Sequence, residues 1–151
     1  MTYCTGIMLD TGLVFASDSR THAGVDNFAR FCKMTVFERV SDRVIVLLSS
    51  GNLAGTQAVI SVLKQRNAKN GEPNLWNAES MFDAANLVSD AVRDIDRRDG
   101  QYLAASAVSF NASFILGGQI AGEPPRLFRL YAQGKHLLNS LHRSEFDWGK
   151  Y

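Results

Sequence analysis

The chain opens with two short apolar runs, residues 3–9 and 13–17, separated by Asp10-Thr11-Gly12. An Asp-x-Gly break between such runs predicts a β-hairpin. Residues 25–30 carry no clear pattern and read as a loop, and Met34 to Phe37 reads as a short strand. Arg43 to Leu48 is a continuous apolar stretch ending at Ser49-Ser50-Gly51, as expected of a strand buried on both faces. The period then changes. From Asn52, Leu53, Ile60 and Leu63 recur at helical spacing with Ala54 and Ala58 between them, until Asn70-Gly71-Glu72-Pro73 ends the pattern. A second helix is clearer: Met81, Phe82, Ala85, Val88, Val92 and Ile95 form one stripe, while Asp83, Asp90, Arg93, Asp94 and Arg97 face water. Asn77 reads as its N-cap and Gly100 as its stop. Strands are expected again at 104–110 and 113–120 around Asn111-Ala112, then at 127–131 after the turn Gly122-Glu123-Pro124-Pro125.

Strands, then two helices, then strands is a segregated order, which argues for an α+β fold rather than an alternating α/β sheet. At 151 residues the chain reads as one domain over 1–151. The apolar fraction of 46% and charged fraction of 21% are those of an ordinary globular protein. A net charge of +1 gives no reason to expect nucleic acid or another polyanion as partner. Cys4 and Cys32 are too few for a disulfide scaffold and read as small buried apolar residues. No run reaches the ~18 apolar residues of a membrane span, and the start lacks a basic segment and a sustained apolar one, so no membrane association and a cytoplasmic location are expected. His136 and His142 are too isolated to form a metal site, and His22 falls in a loop.

The chemistry begins at the second residue. Removal of Met1 would give Thr2 a free α-amine beside its own hydroxyl, pairing a weak nucleophile with a base of pKa roughly 7.7–8.0. That is the arrangement of an N-terminal nucleophile hydrolase. A rival motif is Asp10-Thr11-Gly12, which has the form of an aspartic-peptidase loop. Such enzymes share a proton between two aspartates, and this chain has no second Asp-Thr-Gly. Asp10 therefore reads as a turn residue, with an aspartic peptidase as the remote alternative.

The runs Met1-Thr2-Tyr3-Cys4, Gly6-Ile7, residues 13–20 (Leu13-Val14-Phe15-Ala16-Ser17-Asp18-Ser19-Arg20), Lys33-Met34, 50–54 and Leu116-Gly117-Gly118-Gln119 together resemble the proteasome-type N-terminal threonine hydrolases, and among them the bacterial ancestral β-subunit (Anbu) group. The resemblance covers about residues 1–131, with 132–151 a divergent tail. It implies a four-layer αββα sandwich of the N-terminal nucleophile hydrolase type, incomplete here at its C-terminal end. It also implies cleavage of peptides or unfolded proteins, and self-assembly into a ring or an open spiral; it names no unfoldase. No metal or organic cofactor is needed for such chemistry.

The resemblance assigns Thr2 as nucleophile, with its amine as base. Lys33 corresponds to a lysine beside the nucleophile, where a partly buried ammonium favours a developing alkoxide. Asp18 would hold and orient that lysine through a charge-assisted hydrogen bond; otherwise it caps a turn. Ser19 and Arg20 would support the same polar network, Arg20 being equally readable as a structural arginine. Gly51 at a strand-to-helix junction is a candidate oxyanion donor, with Ser49 and Ser50 as capping residues. Thr21 would line the substrate cleft, where a peptide adds as an extended strand. The family's second cluster, two serines and an aspartate that support the terminal amine, has no counterpart here; Ser140 and Ser144 do not match it. The corresponding alternative is a proteasome-like subunit that assembles without cutting.

Overall fold

The computed structural model describes residues 3–22, 28–69, 71–105, 110–131, 136–138 and 146–147, with the backbone alone for 20–22, 28–30 and the two segments beyond 131. Ten strands and two helices are present among them. β1 (Cys4–Leu9) and β2 (Gly12–Ser17) form the expected hairpin, with Leu9 paired to Gly12 across Asp10-Thr11. β3 (Arg20–His22) and β4 (Phe28–Arg30) form an antiparallel ribbon. β5 (Met34–Arg39) and β6 (Arg43–Gly51) form a second hairpin. The chain then makes its helical excursion through α1 (Leu53–Ala68) and α2 (Met81–Ala105). It returns as β7 (Ala112–Ile120), which pairs with β6 so that Gly51 meets Ala112. β8 (Arg126–Leu130) and β9 (His136–Leu138) complete an antiparallel sheet of order β5-β6-β7-β8-β9. β10 (Phe146–Asp147) joins β1 and β2 in a sheet of order β10-β1-β2.

Alternation along the central strands divides the molecule. On one face of the five-stranded sheet, Ile45, Leu47, Phe114, Leu116 and Phe128 pack with Val59 and Leu63 of α1 and with Met81, Ala85, Val88 and Val92 of α2. On the other face, Val46, Leu48, Ile115 and Leu127 meet Cys4, Met8, Leu13 and Phe15 of the β1–β2 hairpin. Glycine allows this second contact: a Cβ on Gly117 would stand 2.6 Å from the Phe15 ring. The layers are therefore helix, sheet and sheet, as the αββα expectation requires of its first three. Among the described residues no helix covers the outer side of β1 and β2, where Tyr3, Leu9 and Val14 are exposed. No described helix is long and apolar enough to cross a membrane.

Several local expectations are corrected. Phe28–Arg30 is a strand rather than part of a loop, because β3 supplies its partner. α2 runs through Gly100 to Ala105, so 104–105 are helical; Gln101-Tyr102-Leu103-Ala104 are adequate helix formers, and a single glycine is only a local penalty. Residues 106–109 of the expected strand lie outside the described residues. The cap of α2 is Ser80, whose Oγ accepts the Asp83 N–H at 3.0 Å, while the Asn77 side chain accepts the Asn74 N–H at 2.8 Å. Phe82 is exposed rather than part of the buried stripe. Asn52 does cap α1, its Oδ1 accepting the Gly55 N–H at 3.0 Å. Cys4 is buried, but Cys32 is exposed, with its thiol donating to the Met34 carbonyl at 3.1 Å.

Candidate active site

Asp18 and Ser19 follow β2, Lys33 precedes β5, and Gly51 ends β6. The strands bring these ends together where the two sheets meet. Asp18 is held at its main chain by a reciprocal pair with Tyr3: Asp18 N–H donates to the Tyr3 carbonyl at 3.0 Å, and Tyr3 N–H donates to Asp18 Oδ1 at 3.0 Å. The Lys33 ammonium donates to both Asp18 oxygens at 2.7 Å. One carboxylate thus joins the backbone of the residue after Thr2 to a lysine on the opposite sheet. Thr2 itself lies outside the described residues.

The pair is asymmetric in exposure. The Lys33 side chain is 6% exposed and that of Asp18 is 29% exposed. Burying an ammonium is costly without a counter-charge, and the bidentate carboxylate supplies one. Burial works against ionisation of Asp18, but the Lys33 hydrogen bond, the Tyr3 N–H and the Lys33 charge outweigh it and hold the carboxyl below its ordinary range. The neighbouring thiol shows the reverse. Burial, reinforced by the Asp18 charge and only partly offset by Lys33, pushes Cys4 up to about 11, so it stays a thiol at neutral pH.

Lys33 is anchored through its main chain. Ser49 N–H donates to the Lys33 carbonyl at 2.9 Å, and Ser49 Oγ donates to the same oxygen at 3.3 Å. Ser49 is therefore not a helix cap, that position being taken by Asn52. In an antiparallel ladder, N–H groups two residues apart point to the same side. The Gly51 N–H accordingly lies on the side of the Ser49–Lys33 bond, two residues further along β6 and beyond the stretch paired with β5. Gly51 has φ +105°, and a Cβ there would stand 1.8 Å from the Asn111 carbonyl oxygen, so only glycine fits. Asn52 N–H bonds that same Asn111 oxygen at 2.6 Å, which fixes the strand-to-helix junction.

The remaining candidates lie as follows among the described residues. The Ser19 carbonyl accepts the Phe31 N–H at 3.0 Å, and the Ser19 residue is exposed. Arg20, Thr21 and His22 form β3, of which the backbone alone is described. Asp10 sits in the exposed hairpin turn, at the opposite end of β1 and β2 from Asp18 and Tyr3. His136 is in β9, while His142, Ser140 and Ser144 lie outside the described residues. The residue sequence reading missed is Ser49 as a partner of Lys33. Its only signal was its place in β6 opposite the start of β5, which requires the register to be known.

Comparison with known proteins bears on the fold. Neither a protein-family model nor a curated protein matches the chain. Solved structures do. Anbu (ancestral β-subunit) from Yersinia bercovieri is 41% identical with a TM-score of 0.88, the match covering 99% of this chain and 61% of that one. A Gly-1 mutant of Anbu from Hyphomicrobium sp. strain MC1 is 42% identical with a TM-score of 0.88, over 100% and 61% of the two chains. The Anbu complex from Pseudomonas aeruginosa, solved as a helical assembly, is 41% identical with a TM-score of 0.89, over 99% and 62%. Fold and sequence agree over essentially all of this chain, with the layer order of an N-terminal nucleophile hydrolase. Over essentially its whole length the chain is similar to the proteasome-like Anbu proteins, and it spans 61–62% of the length of these solved relatives.

Proposed function

We propose that this chain carries the nucleophile-bearing part of a threonine peptidase that cleaves peptide bonds with Thr2 once Met1 is removed. The observation that supports it most is the part-buried Lys33–Asp18 ion pair, whose carboxylate accepts the N–H of Tyr3, the residue after Thr2 in sequence. In the proposed reaction the α-amine takes the Thr2 Oγ proton, through a water, as Oγ attacks the scissile carbonyl. The Lys33 charge stabilises the developing alkoxide, and the Gly51 N–H donates to the carbonyl oxygen as it becomes an oxyanion. Collapse of the tetrahedral intermediate expels the leaving amine, which takes the proton held by the α-ammonium. The acyl-enzyme is then hydrolysed by water, with the α-amine again as base.

Substrate would bind as an extended strand along β3, one of whose edges is unpaired among the described residues; Thr21 is placed there, with Ser19 and Arg20 beside it. The helical assembly of the Pseudomonas aeruginosa relative supports homo-oligomerisation, and a cytoplasmic location fits the peptidase reading. A second reading, an assembly subunit that does not cut, is supported by the helical assembly of the same relative. Intact-mass analysis with and without a β-lactone probe separates the two. A chain lacking one methionine and gaining one lactone adduct supports the peptidase. A retained Met1 with no adduct supports the assembly subunit.

A further inference from the structure

We propose that Ser49 is a positioning residue for Lys33, its hydroxyl clamping the lysine main chain so that the ammonium meets Asp18 and the nucleophile's strand. The need for a clamp is local. Residues 31–33 lie between β4 and β5 in no strand, so Lys33 is held only at the frayed end of the β5–β6 ladder, by the rung that continues the Met34–Leu48 register to Ser49. Its long stem has many rotamers, and a bidentate contact with one carboxylate requires its Cα to be held in place. Ser49 gives the Lys33 carbonyl two hydrogen bonds, from its amide at 2.9 Å and its Oγ at 3.3 Å. Any residue at this position could supply the first bond; the second needs a side-chain donor, strong as a hydroxyl and weak as a thiol. Ser49 is 3% exposed, so solvent has little access to replace the hydroxyl.

Ser49 also reaches the other sheet. Its own carbonyl accepts from the Cys4 thiol at 3.6 Å, a weak contact made by a group that burial keeps protonated. Cys4 lies two residues after Thr2. A path Cys4–Ser49–Lys33–Asp18–Tyr3 thus forms a ring of contacts, closed by the peptide bond between Tyr3 and Cys4. The role of the hydroxyl in acylation rests on the peptidase reading above, whereas the clamp on Lys33 does not.

The test uses the full chain with Ser49→Ala, Ser49→Cys and Ser49→Thr, each checked by circular dichroism. Side-chain carboxyl NMR follows the Asp18 titration, and β-lactone acylation of Thr2 is timed across pH. In Ser49→Ala and Ser49→Cys the Asp18 midpoint is expected to rise toward its free value of 3.8. Acylation should slow about tenfold with a displaced pH profile. Ser49→Thr, which keeps the hydroxyl, should restore both. An unchanged Asp18 midpoint in a folded Ser49→Ala or Ser49→Cys overturns the proposal, as does a Ser49→Thr protein displaced as far as Ser49→Ala. If the unsubstituted chain is never acylated, the peptidase reading fails, and the Asp18 midpoint alone still decides the role of Ser49.

Discussion

The two faces of the five-stranded sheet are covered in different ways. On one face two helices, joined by the 2.7 Å Arg66–Asp94 ion pair, close over a continuous apolar core. On the other a hairpin lies across a smaller cluster, and its own outer side is left open among the described residues. The candidate site sits on the thin side, at its rim. That placement has a physical logic. An ion pair taken wholly into the helix-covered core would lose the hydration of both charges. At the seam, Lys33 is buried while Asp18 keeps 29% of its side chain in solvent, so the carboxylate retains part of its hydration. The thick side supplies stability, and the thin side holds charge.

A matched pair of substitutions tests this contrast most severely. Leu116 and Leu127 are both 0% exposed, the first under the helices and the second under the hairpin. Leu116→Ala should destabilise by roughly 3–5 kcal/mol and Leu127→Ala by roughly 2–3 kcal/mol, because a hairpin settles into a void more readily than two packed helices. Urea unfolding midpoints at neutral pH give both numbers. Equal costs, or the reverse order, would break the comparison.

Gly51 lies where the central strand leaves the sheet for the helical layer. Gly51→Ala forces a Cβ to within 1.8 Å of a backbone oxygen at φ +105°. The strain should cost about 2–4 kcal/mol on thermal or urea unfolding. A cost below 1 kcal/mol would mean that this junction relaxes and does not hold the Gly51 N–H in place.

The pattern of legibility follows the same division. Arg43 to Leu48 could be read as a doubly covered strand because both of its faces are apolar, and a helix from Asn52 because apolar residues recur at helical spacing after it; that Asn52 rather than Ser49 caps it came only with the structure. The hairpin turn at Asp10-Thr11 was equally local. β4 was not legible, since three residues carry no period and their partner is contributed by β3. The end of α2 was misplaced because Gly100 looks like a stop when its neighbours are ignored. At the site, the Asp18–Lys33 contact came from resemblance, and residues fifteen apart have no local rule that joins them. Ser49 was missed for the same reason: its partner is set by register across two strands.

Removing the seam's cation should act less on stability than on charge. Lys33→Met leaves Asp18 part-exposed with one counter-ion fewer and should cost about 1–2 kcal/mol, while its carboxyl titrates closer to 3.8. The sign with pH is fixed. The folded-state pKa of Asp18 lies below its unfolded value, so the pair's contribution is whole above 3.8 and is lost as pH falls through the folded value. Urea midpoints of the native chain and of Lys33→Met should therefore converge on acidification below 3.8. A gap that persists in acid would assign the loss to packing of the lysine stem rather than to the ion pair.

The smallest effect belongs to the open outer side. Val14 is 48% exposed and points away from the cluster that holds Leu13 and Phe15. Val14→Thr keeps the β-branched shape and adds a hydroxyl that water can reach, so stability should change by no more than about 0.5 kcal/mol in dilute protein. The same substitution lowers the apolarity of a surface that also carries Tyr3 and Leu9, and sedimentation velocity should show weaker self-association than in the unsubstituted chain. The concentration dependence decides what that surface is. If Val14→Thr costs more than 1 kcal/mol in concentrated protein and almost nothing in dilute protein, another copy covers the outer sheet in the assembled state. The imbalance between the two faces would then belong to the isolated chain, and assembly would supply the cover that the hairpin lacks.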